Sequence, residues 1–205
     1  MITNGGSDLW IVKTDGAGTL QWQKLLGGAG YELANSVLQT TEGGYVLAGY
    51  SSSSNTGTLT GFTSKGLYDY WIVKLTATGV VQWQQLTGGL QDEYAQAILQ
   101  TADGGYFIAG YTNSADIGGN LAGVVSNGEL DYWVLKLSGT GTMQWQKLLG
   151  GSLSDLATSC VQNPDGGFVV AGYSNSSNSG TLAGKTGDHS NDGWLIKLDP
   201  FGNPL

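Results

Sequence analysis

The carboxylates of this chain recur in phase. Asp8, Asp69, Asp131 and Asp192 each stand two residues before a Trp. Glu32, Glu93 and Asp155 each follow a Gly-Gly pair by four residues, and Glu42, Asp103 and Asp165 each precede a second Gly-Gly pair. Carboxylates act as general acids, general bases or metal ligands when a fold brings several together. Beside glycine turns they also accept backbone N–H bonds, and that structural use is the one expected here. Nothing else in the chain completes a catalytic set. His189 is the single histidine, it lies in a loop of the last repeat alone, and no Gly-x-Ser-x-Gly elbow accompanies it. The run Asp188-His189-Ser190-Asn191-Asp192 is rich in oxygen but lacks the ligand spacing of a calcium loop. Cys160 is the only cysteine, so there is neither an internal disulfide nor a Cys/His set for zinc. It reads as a small buried hydrophobe. No P-loop or dinucleotide fingerprint is present. The expectation is therefore a protein that is not an enzyme, with no catalytic, cofactor-binding or metal-binding residues.

These residues are carried by an internal repeat. The Trp of the Asp-x-Trp motif stands at 10, 71, 133 and 194, at spacings of 61, 62 and 61. Lys13, Lys74, Lys136 and Lys197 follow it by three residues. Gln-Trp-Gln recurs around Trp22, Trp83 and Trp145, and an aromatic-x-x-x-Gly-Tyr string ends at Tyr50, Tyr111 and Tyr173. One unit reads as four short strands, at 34–40, 45–50, 71–75 and 80–86, with a polar loop before the third. Alternation puts Trp71, Val73 and Leu75 on one face, and the Gly-rich turn at Gly43-Gly44 makes the first two strands a hairpin. The expected fold class is all-β: tandem four-stranded antiparallel repeats of 61–62 residues, β-propeller-like. A threefold β-prism or trefoil-like barrel is the alternative. The repeats divide as 1–30 (partial), 31–92, 93–153, and 154–205 (lacking a last strand), in a single array over 1–205.

Composition agrees with that class. Gly makes up 35 of 205 residues, and ten Tyr and seven Trp accompany many β-branched residues. A net charge of −8 without a basic cluster disfavours nucleic acid. No apolar run is long enough for a transmembrane helix, and residues 1–6 lack the features of a signal peptide. The repeat opens inside a loop and stops just before a signature Trp, which leaves 13 strands where 12 would make three closed units. Propellers typically have four to eight blades. The expected partners are therefore neighbouring repeats of the same protein or a second copy, in a ring or a filament.

The strings Asp69-Tyr-Trp-Ile-Val-Lys-Leu, Gln82-Trp-Gln, Gly88-Gly89 and Asp103-Gly-Gly-Tyr-Phe-Ile-Ala-Gly-Tyr111 resemble the β-propeller-type repeats of secreted and cell-surface bacterial proteins, common in Bacteroidota. The resemblance covers about Gly5 to Gly202. It implies a non-catalytic structural or adhesive module located outside the cell. The Ser- and Asn-rich loops after the second strand are the expected functional surface. Tyr68, Tyr70 and Tyr132 are the candidate ligand-facing aromatics for a lectin-like role toward glycans. Gly110, between strand aromatics, should tolerate Val less well than Ser53 tolerates Ala.

Overall fold

The computed structural model describes residues 5–114, 118–121, 124–187 and 190–205. Among them the chain is all-β, with thirteen strands in four antiparallel sheets. The first sheet pairs β1 (Leu9–Thr14) with β2 (Leu20–Leu26). The second runs in order β3 (Glu32–Gln39), β4 (Tyr45–Ser51), β5 (Asp69–Leu75) and β6 (Val81–Thr87). The third repeats that order with β7 (Glu93–Gln100), β8 (Tyr106–Thr112), β9 (Asp131–Leu137) and β10 (Met143–Leu149). The fourth holds β11 (Asp155–Gln162), β12 (Phe168–Ser174) and β13 (Asp192–Leu198). The sheets stay separate, and no closed barrel forms among the described residues. No helix described is long and apolar enough to cross a membrane.

The four-strand pattern follows from simple meander pairing. Each connection between the first two strands carries a glycine in the left-handed region, such as Gly43 at φ +84°, where a side chain would be strained. The third strand starts earlier than alternation suggests, at Asp69 rather than Trp71, because the ladder continues to the Ser51–Asp69 pair.

Each full sheet buries both faces. Along β5, Trp71, Val73 and Leu75 pack with Leu26, Trp22 and Ile11 of the first sheet. The alternate residues Tyr70 and Ile72 pack with Ala95, Ile98, Ile108 and Trp133 of the third. The third sheet repeats this: Tyr132 and Val134 meet Phe168, Val170 and Ile196 of the fourth. All seven residues of β5 and of β9 are buried. The first strands of successive sheets lie against one another. Side chains bridge them: Asn35 Nδ2 donates to Ala95 O at 2.8 Å, and the N–H groups of Thr41 and Ala102 donate to Gln100 and Gln162.

A bulge recurs in every first-to-second strand pair, with the register shifting after Ala34, Ala95 and Ala157. Opposite these positions stand Gly49, Gly110 and Gly172. A Cβ at Gly110 would strike the carbonyl of Tyr94 and the hydroxyl of Tyr70. The bulge therefore needs a residue without a side chain. Gly110→Val should cost roughly 3 kcal/mol or more. Thr63→Ala, at an exposed loop position, should change stability by less than about 0.5 kcal/mol. Urea unfolding of the two variants measures the difference, and equal midpoints would contradict this account of the bulge.

Candidate functional site

A polar knot recurs where one sheet hands the chain to the next. In the middle knot Glu93 opens β7 and is fully buried. Its Oε2 accepts the Gly89 N–H at 2.7 Å, and its Oε1 accepts the hydroxyls of Thr112 at 2.7 Å and Ser114 at 2.6 Å. Glu32 repeats the pattern with Gly28 N–H, Ser51 and Ser53. Asp155 repeats it with Gly151 N–H and Ser176, and its shorter side chain leaves Oδ1 buried without a hydrogen bond. The sequence expectation that these acids cap glycine turns matches this geometry.

The Asp of the Asp-x-Trp motif enters the same knot from the preceding sheet. Asp69 Oδ2 accepts the Lys65 N–H at 2.7 Å. Asp131 Oδ2 accepts from Ser126 Oγ at 2.7 Å and Asn127 N–H at 2.8 Å. In each case Oδ1 lies over the first glycine of the Gly-Gly pair, beside the second carboxyl. A Cβ on Gly88 would strike Asp69 Oδ1 and Glu93 Oε2 together, and one on Gly150 would strike Asp131 Oδ1. Burial raises the Asp69 and Asp131 carboxyls. Burial also lifts Glu93, to about 7, against hydrogen bonds that favour its charged form, and Asp69 adds to the rise. Two adjacent buried carboxyls can share a proton. With Asp69, Glu93, Asp131 and Asp155 all at 0% exposure, substrate does not reach them.

Of the recurring lysines, Lys74 and Lys136 turn inward, while Lys197 is exposed. Lys74 and Lys136 are buried and grip the acid of the glycine turn between the first two strands, Lys74–Glu42 at 2.5 Å and Lys136–Asp103 at 3.0 Å. Lys74 holds Glu42 down to about 2 through their hydrogen bond. At Asp103 burial pushes upward, but Thr101, Lys136 and the Gly105 N–H outweigh it and hold the carboxyl at about 2.

Two of the three tyrosines singled out for ligands are in the core. Tyr70 and Tyr132 are both at 0% exposure, which corrects the expectation that they face a ligand. Their hydroxyls donate to Trp133 O at 3.0 Å and Trp194 O at 3.2 Å, tying each sheet to the next. Strand alternation turns them toward the following sheet, and this could not be told from their place beside a loop. Tyr68 is half-buried in a cluster, 5.3 Å from the ring of Tyr50 and 5.7 Å from that of Tyr94. Tyr111 extends the cluster.

Serines of the loops expected to form the functional surface instead complete the knots. Ser53, Ser114 and Ser176 are buried, so Ser53→Ala removes a buried hydroxyl that donates to Glu32. The signal was present in the sequence: these serines recur with the spacing of the Trp motif. Each loop also makes a 3-10 turn, Gly57–Leu59, Gly119–Leu121 or Gly180–Leu182, that places one Leu in the core. Cys160 packs beside the cluster of Phe107 and Phe168, and burial pushes its thiol up to about 12. Asp188 and His189 lie outside the described residues.

No family model matches the chain, and no curated protein matches it. Among solved structures, a protein of unknown function from Bacteroides caccae is 14% identical, covering 98% of this chain and 93% of its own, with a TM-score of 0.30. A likeness at that level carries no argument, and function rests on the chain's own geometry.

Tyr70→Phe should cost about 1 kcal/mol by removing one hydroxyl bond. Tyr70→Ala should cost about 3–5 kcal/mol by opening the core between two sheets. Chemical unfolding of the pair tests the placement, and a neutral Tyr70→Ala would contradict it.

Proposed function

We propose that this chain is a non-catalytic structural module whose propeller-like stack of sheets is continued by a second copy of itself, head to tail. The observation that carries the reading is the chemistry of its two open faces. Trp10 and Val12 are 61% and 43% exposed, while the equivalent Trp71 and Val73 are 2% and 1% exposed against the preceding sheet. On the opposite face Leu195 and Val161 are 65% and 54% exposed, while Ile72, equivalent to Leu195, is 0% exposed against the following sheet. One face thus presents the residues that the other face is built to receive. Exposed apolar patches of this kind mark association surfaces. A contact between two different faces is heterologous and gives a ring or a filament.

An extracellular, adhesive setting for such an assembly is supported by the resemblance of the repeat motifs to secreted and cell-surface bacterial repeats. The recurring acids and lysines are engaged in internal hydrogen bonds and ion pairs, which supports a structural role for them. A second reading, carbohydrate binding, is favoured by the half-buried tyrosine cluster around Tyr68; glycan-array binding lost in Tyr68→Ala would support it.

Light scattering across a concentration series tests the main reading. The native chain should give masses above the 21.3 kDa of one copy, rising with concentration. Trp10→Glu and Leu195→Glu should each shift it toward monomer without a change in circular dichroism. A monomer up to about 100 µM, well beyond the micromolar affinity of a modest interface, would overturn the reading.

A further inference from the structure

Beyond that structural role, the paired carboxyls between sheets have a geometry of their own. Asp69 belongs to the second sheet and Glu93 to the third. Both are buried, both lean over Gly88, and Asp69 Oδ1 accepts from no N–H or hydroxyl of the chain. Their remaining oxygens are saturated by donors: Lys65 N–H on Asp69, and Gly89 N–H, Thr112 and Ser114 on Glu93. Among the described residues no lysine forms an ion pair with them. From β5 the neighbouring titratable group is Tyr70, whose hydroxyl is engaged by Trp133 O. From β8 and the loop after it the facing groups are the uncharged Thr112 and Ser114, and the loop before β5 supplies backbone N–H groups. Just before β7, Asp92 lies beside Tyr94, whose hydroxyl is raised by burial and by the Asp92 charge. The lysines that pair with carboxylates, Lys74, Lys136 and Lys197, stand near the far ends of their strands. Two oxygens crowded against a glycine CH₂ do not make a metal cage, and no group of three potential ligands occurs among the described residues.

We propose that one proton shared between Asp69 and Glu93 closes the junction between the second and third sheets, and that losing it above neutral pH loosens that junction. The Asp131–Asp155 pair repeats the arrangement at the next junction, over Gly150. The proton sits between the two carboxyls, so the pair carries a single negative charge. Deprotonation releases it to solvent and leaves two buried like charges in contact, which the fold relieves only by parting the sheets.

The sign of the effect follows from the folded state binding more protons than the unfolded one. A carboxyl raised on folding gives stability that is fully present below its ordinary value of 4.5 and is lost as pH rises through about 7. Glu42 and Asp103, held at about 2, act oppositely. Their contribution is present above the usual carboxylate range and is lost as pH falls toward 2. The chain should therefore be most stable in mild acid, near pH 5, and decline on both sides.

The test is thermal unfolding of the full chain at pH 5, 7 and 9, with chelator or with Ca²⁺. Asp69→Asn keeps an oxygen for the Lys65 N–H and puts an amide hydrogen where the shared proton lies. The native chain should lose roughly 5–10 °C in melting temperature between pH 5 and pH 9. Asp69→Asn should match it at pH 5 and lose clearly less by pH 9, and Asp69→Asn combined with Asp131→Asn should lose least. Equal alkaline losses in all three would overturn the proposal. Stabilisation by Ca²⁺ at pH 9 that chelator abolishes would also overturn it, because a cation would then occupy the pair. Should the variants fail to fold, carbon-detected titration of the native chain decides: a Glu93 carboxyl titrating near its ordinary value overturns the proposal, and one near 7 supports it.

Discussion

A strand that is apolar on both faces cannot end a stack. β5 and β9 are buried along their whole length, with Trp and Val or Leu turned to the sheet before and Tyr and Ile or Val turned to the sheet after. A sheet built around such a strand needs a neighbour on each side, since each apolar face left in water forfeits about 25 cal/mol per Å². The rest of the structure follows from this requirement. Successive sheets lie face against face, the first strands meet, and the outermost sheets expose the same residues that the inner ones bury.

Close stacking also sets the chemistry of the hand-over points. The chain must turn sharply from the last strand of one sheet to the first of the next, which leaves backbone N–H groups in a buried place. Glu32, Glu93 and Asp155 supply acceptors there, and serines and threonines at the end of the second strand and in the loop after it supply the remaining donors. The Asp of the next contact then arrives at the same point from the previous sheet. Two carboxyls meet because one satisfies the turn within its own sheet and the other satisfies the loop before its own strand. Their proximity is a consequence of stacking. The lysine–acid pairs at the other end of the sheets favour the ionised state.

Much of this was legible in the residues themselves. The motif spacing of 61 and 62 residues located each sheet, the Gly-Gly pairs located the turns, and the acids after them were read as caps. The strand count agrees with the thirteen strands observed. Inward and outward were harder to assign. Tyr70 and Tyr132 lie next to polar loops but point into the stack, and Lys74 and Lys136 carry charge into it. On a sheet covered on both sides, alternation no longer separates core from solvent. A polar residue can then turn inward wherever a partner waits, as Glu42 waits for Lys74.

The sequence by itself determined the repeat, its strands and its turns, because these depend on local spacing and on the backbone freedom of glycine. Tertiary structure alone decided which chemical groups meet. Asp69 and Glu93 are 24 positions apart in neighbouring units, and only the stacking of one sheet on the next places both carboxyls over Gly88. Their contact depends on the distance between two sheets, which no single repeat encodes.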